Sequence, residues 1–249
     1  MYKPELTKKS TGVPVLSKNE IDSIGERLVT DFCAAALEQP AAVNIDLFAQ
    51  SYLGLKQDFQ YLSHNGIYLG MMVFHDTNKI PVYDPAANRA EYISAGANTV
   101  IIDKGLLDES QEHRYRFTMG HEAAHGILHS EYYRYKILSD TGYTPMVQCR
   151  VDSTKITNRH ISLWTDSDWM EWQANRLSSA ILMPACMIRQ LTADDPEDPS
   201  VFRAACWVKK VCRTFNVSVQ AAEIRLRELG LLSGISKAAV LSELPVFKI

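Results

Sequence analysis

The chain has 249 residues, 46% of them apolar and 22% charged, which is enough length and apolar content for a sizeable core that needs no staples. Acidic and basic residues interleave to a net charge of −3, so no broad field exists to gather nucleic acid or an anionic membrane, and partners must be recognised locally. The basic N-terminus lacks the apolar stretch of a secretion signal, no apolar run approaches the roughly 18 residues of a membrane span, and five scattered cysteines without a CxxC pair suit free thiols, so the expectation is a soluble cytoplasmic protein.

In chain order, the first predicted element is a helix entered at Ser17, with Glu20 at capping-box spacing and Ile21, Ile24, Leu28, Phe32 and Ala35 on one apolar face. It ends before Gln39-Pro40 and makes residues 1–42 an N-terminal extension. Ile45, Phe48, Ala49 and Tyr52 suggest a shorter helix stopping near Gly54. From about residue 66 the segments GIYLGMMVF, KIPVY and NTVIID, separated by turn signals, predict a small, largely antiparallel sheet. Its last strand, 98–103, leads into a helix over 109–130. Residues 131–168 read as irregular, with a hairpin around 146–164, and a strong helix follows over 168–183, stopped at Pro184. After the acidic loop 194–199 come two helices within 201–230, joined at Asn216-Val217, with Ser218 as N-cap and Gly230 as stop. The main domain is expected over 43–232, with a tail at 233–249.

The chemistry concentrates in GHEAAHGILH, 120–129. On a helix, His121 and His125 leave the same face about 6 Å apart along the axis, so one ion can reach both. Glu122 is displaced around the helix, outside the inner ligands but within reach of a water on the metal: two ligands and a general base, the mechanical content of HExxH. Alone, the motif also fits histidines on an ordinary helix face; a third ligand decides. The extended pattern HExxHxxGxxH is excluded, because Leu128 and Glu131 stand where it needs glycine and histidine. The alternative is a carboxylate from a downstream helix, and WMEWQANRLSSAILMP offers Glu171 among small and apolar neighbours, where an unpaired charge is costly.

The pairing of RFTMGHEAAHGILH (116–129) with EWQANRLSSAILMP (171–184) resembles the ImmA/IrrE family of zinc metallopeptidases, whose motifs read approximately RFTxAHExxHxxLH and ExxANxFAxxLLMP. The resemblance covers roughly residues 43–232. It implies an α+β fold, a zincin-like metallopeptidase domain with a small antiparallel sheet, an HExxH helix and flanking helices. By position it implies Zn2+ held by His121, His125 and Glu171, with Glu122 as base. It further implies a protein substrate, typically a DNA-binding repressor of a mobile element or stress response. Three departures touch no ligand: Gly120 replaces a usual alanine, Leu177-Ser178 stands where Phe-Ala is common, and the stretch from His125 to Glu171 is long.

His129 lies one turn beyond His125 and reads as structural or as a support behind the ligands; Asn175 reads as a ligand's outer hydrogen-bond partner or as an ordinary core group. Cys149, His160 and Cys186 match no zinc spacing. Tyr132, Tyr133, Tyr135 and Tyr143 leave open which, if any, donates to an oxyanion. A substrate strand is expected to add to an exposed edge at 98–103. Two competing readings remain. One is DNA binding through a helix-turn-helix bearing Lys209, Lys210, Arg213, Arg225 and Arg227, diluted by Glu223 and Glu228. The other is a regulatory half of a toxin pair with an incidental metal site.

Overall fold

The computed structural model describes residues 1–139, 146–150, 161–193 and 200–244, with the backbone alone described at 137–139 and 147–150. α1 (Lys18–Phe32) starts as the sequence predicts: the Ser17 hydroxyl accepts from the Glu20 amide, and the Glu20 carboxylate accepts from the Ser17 amide. Its apolar face, Ile21, Ile24 and Leu28, is buried in the same core as the rest of the molecule. A single turn of α-helix, α2 (Ile45–Leu47), continues as a wider π-turn to Tyr52.

The sheet differs from expectation in its order. β1 (Lys56–Gln60), β2 (Tyr68–Val73), β5 (Thr99–Asp103) and β6 (Met146–Arg150) assemble as β1-β5-β2-β6, while β3 (Thr77–Asp84) and β4 (Arg89–Ala95) form a separate antiparallel hairpin. Both pairings of β2 are antiparallel, but β1 runs parallel to β5. The strand expected at the edge, 98–103, is therefore interior, and among the described residues β1 and β6 are the outermost strands. The physical reason is legible afterwards: all five residues of β5, TVIID, are buried, with the apolar Val100, Ile101 and Ile102 at its centre, as suits a strand covered on both faces. The segment 146–150 of the expected hairpin at 146–164 is β6, which pairs with β2; residues 151–160, the rest of that expectation, lie outside the described residues.

Alternation along β2 and β5 sorts the core into two layers. Val100, Ile102 and Met72 face the helices, whereas Met71, Val73 and Ile101 face Ile80 and Val82 of the hairpin. Across the helical face runs α3 (Glu112–Ser139), entered through two 3₁₀ turns and continuing beyond the expected end near 130. α4 (Asp166–Leu182) packs against it and starts with a second capping box, Thr165 with Asp168. Pro184 does not merely stop α4; it sits at the N-cap of α5 (Ala185–Thr192), a helix not anticipated. α6 (Val201–Phe215) ends on Asn216, which adopts the left-handed conformation at the joint the sequence placed there, and α7 (Val219–Glu228) is capped by Ser218 as read from sequence. A short α8 (Lys237–Ser242) follows within the expected tail. The acidic loop 194–199 lies outside the described residues, and among those described no helix is long and apolar enough to cross a membrane.

A buried ion network fixes α4 in place. Asp22 of α1 receives Arg176 of α4 at 2.9 Å and Arg225 of α7 at 2.7 Å; Glu228 takes Arg176 at 3.1 Å, and Arg225 also donates to the Met183 carbonyl. Arg116 ties the start of α3 to the rest, donating to the carbonyls of Val43, Phe215 and Asn216 and so satisfying the C-terminal end of α6.

Candidate metal centre

Three histidines at four-residue intervals, His121, His125 and His129, line one face of α3, each completely buried. α4 crosses that face and presents Glu171, Gln173 and Asn175 to them. The Nε2 atoms of His121 and His125 are 3.1 Å apart; Glu171 Oε2 lies 3.4 Å from the first and its Oε1 3.3 Å from the second. The structure thus brings together the three residues the sequence singled out as ligands, with their donor atoms within 4.8 Å of one another. Glu122 is completely buried beside them.

The neighbouring strand explains how Glu122 is positioned. A side chain at Gly70 of β2 would place its Cβ 2.7 Å from Glu122 Oε1 and 2.7 Å from Thr118 Cγ2, so only glycine lets β2 pass this close to the helix. The β2–β6 register slips between Tyr68 and Gly70, and such irregularities in a strand re-aim it locally. A second close approach accounts for two of the departures from the family motifs together. Ser178 Oγ, which donates to the Phe117 carbonyl at 3.0 Å, occupies the space where a Cβ at Gly120 would sit, 2.6 Å away. Glycine at 120 and serine at 178 are one compensated pair.

The other ring nitrogens of these histidines are engaged as well. His121 Nδ1 lies 3.0 Å from Asn175 Oδ1, His125 Nδ1 lies 3.0 Å from His129 Nδ1, and His129 Nε2 lies 2.9 Å from Gln173 Oε1. Asn175 and His129 therefore contact His121 and His125 on the side away from Glu171. Gln173 was missed: its amide is 1% exposed and completes the chain, but a glutamine in a helix carries no sequence signal of such a role. Burial holds His125 below the usual histidine range and, with the neighbouring His125, brings His129 down to about 3. Glu171 is desolvated, which opposes ionisation, yet the two imidazoles beside it hold its carboxyl well below the usual carboxylate range. The cluster thus offers two imidazole nitrogens and a carboxylate, with burial favouring the neutral form of His125.

The remaining candidates fall elsewhere. Tyr132 and Tyr133 are buried, with Tyr133 stacked on Phe74 at 4.1 Å, and Tyr135 is exposed; Tyr143 and His160 lie outside the described residues, as does the Cys149 side chain. Cys186 packs beside Glu26, which accepts its backbone N–H, and does not join the cluster. In the C-terminal helix pair Arg225 is fully buried in ion pairs, Arg227 pairs with Glu223, and Lys210 donates to the Leu191 carbonyl.

An HExxH helix crossed by a second helix that supplies a glutamate is a metallopeptidase-type arrangement. The family model of the IrrE N-terminal-like domain, Peptidase M78, matches residues 68–227, and the chain belongs to that family. The match spans α3, α4 and all four clustered residues. A search of the curated proteins returns no match.

Proposed function

We propose that the protein is a zinc-dependent peptidase of the cytoplasm, gluzincin-like in its ligand set, with His121, His125 and Glu171 as metal ligands and Glu122 as general base. The observation that carries this reading is the donor spacing. Ligands held about 2.1 Å from a tetrahedral ion stand about 3.4 Å from each other; here the two imidazole nitrogens are 3.1 Å apart, and one oxygen of Glu171 lies 3.4 Å from His121 while its other oxygen lies 3.3 Å from His125, so the carboxylate straddles the pair. Two imidazole nitrogens turned towards one another at 3.1 Å with a carboxylate beside them are a donor set that would suit Zn2+.

When bound, zinc acidifies a water and polarises the scissile carbonyl. Glu122 takes the proton of the attacking water on its carboxylate and passes it to the departing amide nitrogen. Asn175 and His129 hold the two ligand rings so that each Nε2 faces the ion. Gly70 keeps β2 against Glu122, limiting the carboxylate's freedom. The substrate is a protein segment, and by analogy with the family a DNA-binding repressor whose cleavage releases its target genes.

Metal content tests the ligand set. Purified Glu171→Ala should lose stoichiometric zinc while Glu122→Gln retains it; zinc retained in full by Glu171→Ala would contradict the ligand assignment.

A further inference from the structure

The hydrogen bonds behind the metal ligands have a direction that can be worked out from one end. Gln173 Nε2 lies 2.7 Å from the carbonyl oxygen of Pro14. A carbonyl only accepts, so the NH₂ group of Gln173 must face Pro14, and its amide oxygen must face His129. That oxygen also only accepts; hence His129 Nε2, 2.9 Å away, carries the proton. In a neutral imidazole the other nitrogen is then bare, so His129 Nδ1 accepts from His125 Nδ1–H across 3.0 Å. This leaves the lone pair of His125 on Nε2, the nitrogen that faces His121 and Glu171. Every step is forced by the one before it, and the first is a main-chain carbonyl in the N-terminal extension.

We propose that His129 and Gln173 are positioning residues of the metal centre, and that the N-terminal segment through Pro14 belongs to the centre's support, setting the tautomer of His125 through the relay Pro14–Gln173–His129. The relay fixes a ring that would otherwise choose between two tautomers, one of which points an N–H at the metal. It rests on the ligand assignment proposed above for its purpose but not for its direction, which follows from donors and acceptors alone.

The segment is placed to do this. Lys8 pairs with Glu131 at the far side of α3, and Lys9 with Asp166 at the start of α4 at 3.3 Å, so the segment bridges the two helices that carry the site. Lys8 also bridges to Pro14, closing a small loop, and Val13 beside Pro14 is fully buried. Removing the Gln173 amide should therefore loosen His125 without removing any ligand. Partners behind metal-bound histidines are worth 10–100-fold in metal affinity, and the same loss is expected here.

Two measurements on the full-length chain test the relay. Long-range ¹H–¹⁵N correlation of the histidine rings in zinc-free protein should show His129 protonated on Nε2 and bare on Nδ1, and His125 protonated on Nδ1. A proton on His129 Nδ1 would overturn the proposal. Because no metal is present, this result stands or falls separately from the zinc reading. Chelator competition with Zn2+ should then show Gln173→Leu binding 10–100-fold more weakly than wild type, while Pro14→Ala, which keeps the carbonyl, binds as wild type. Wild-type affinity in a Gln173→Leu protein with an unchanged unfolding transition would also overturn it. If Gln173→Leu does not fold, Gln173→Met serves: it keeps the length of the side chain but can neither accept from His129 nor donate to Pro14, and it should weaken zinc binding 10–100-fold as well, wild-type affinity overturning the proposal.

Discussion

Gly120→Ala is the substitution whose cost can be worked most closely, because it would restore the alanine usual in the family at one position and leave serine at the other. The new Cβ would lie 2.6 Å from Ser178 Oγ, 3.5 Å from Ser178 Cβ and 3.7 Å from Ile45 Cδ1, so the hydroxyl is the only group that must move. Turning it away breaks its bond to the Phe117 carbonyl and leaves a buried hydroxyl without its acceptor, a cost of about 1–3 kcal/mol. Replacing glycine by alanine inside a helix returns about 1 kcal/mol, so the single variant should be destabilised by about 0–2 kcal/mol. Ser178→Ala alone loses one net hydrogen bond, about 1 kcal/mol. In Gly120→Ala/Ser178→Ala nothing clashes, the helix gain remains, and the pair should be more stable than the sum of the single changes by about 1–3 kcal/mol, the cost of the displaced hydroxyl. Urea unfolding of the four proteins measures this coupling. For a chain of this size 1 kcal/mol corresponds to about 2–4 °C in Tm, so thermal unfolding reports it too. Additivity within about 0.5 kcal/mol would refute the reasoning that the two departures compensate one another.

Asp22→Ala removes the anion shared by Arg176 and Arg225, both buried, and should cost about 3–5 kcal/mol in urea unfolding; a loss under 1 kcal/mol would mean that Glu228 alone balances both charges. Gly70→Ala drives a methyl into Glu122 and Thr118, so turnover should fall about 10–100-fold with zinc content unchanged, and unaltered kcat would show that β2 does not restrain Glu122. Stability of the zinc-free protein should decline as pH falls from about 6.5 towards 3. His129 is held at about 3 when folded, so below 6.5 the unfolded chain binds the extra proton and acid favours unfolding, by up to about 1.4 kcal/mol per pH unit from this group; His125, also lowered by burial, adds to the slope. A flat unfolding free energy between pH 6.5 and 4.5 would contradict this.

What the sequence revealed and what it hid divide along the range of the interactions. The capping box at Ser17, the helix joint at Asn216-Val217 and the Ser218 cap are local, each decided within a few residues, and the structure repeats them. The HExxH spacing is local too, and Glu171 was legible because a charge in an apolar helix needs a reason. β1 was not read: KQDFQ is polar and at best half-buried, and its strand character comes from parallel pairing with β5, some forty residues on. For the same reason the interior place of β5 escaped, since a short apolar run looks alike whether one or both of its edges are paired. Gln173 is the sharpest case. Its partner is a backbone carbonyl 159 residues away, and a main-chain acceptor leaves no trace in residue identity. The compensation between Gly120 and Ser178 was visible only as two separate departures until the helices were placed against each other.

The most direct test of the central claim is co-expression of the protein with candidate repressors, comparing wild type with Glu122→Gln and following substrate cleavage by mass, with zinc content measured on both. The account predicts full zinc in each, defined cleavage by wild type, and a rate at least 100-fold lower in the variant. A Glu122→Gln protein that binds zinc and cuts as fast as wild type would contradict it.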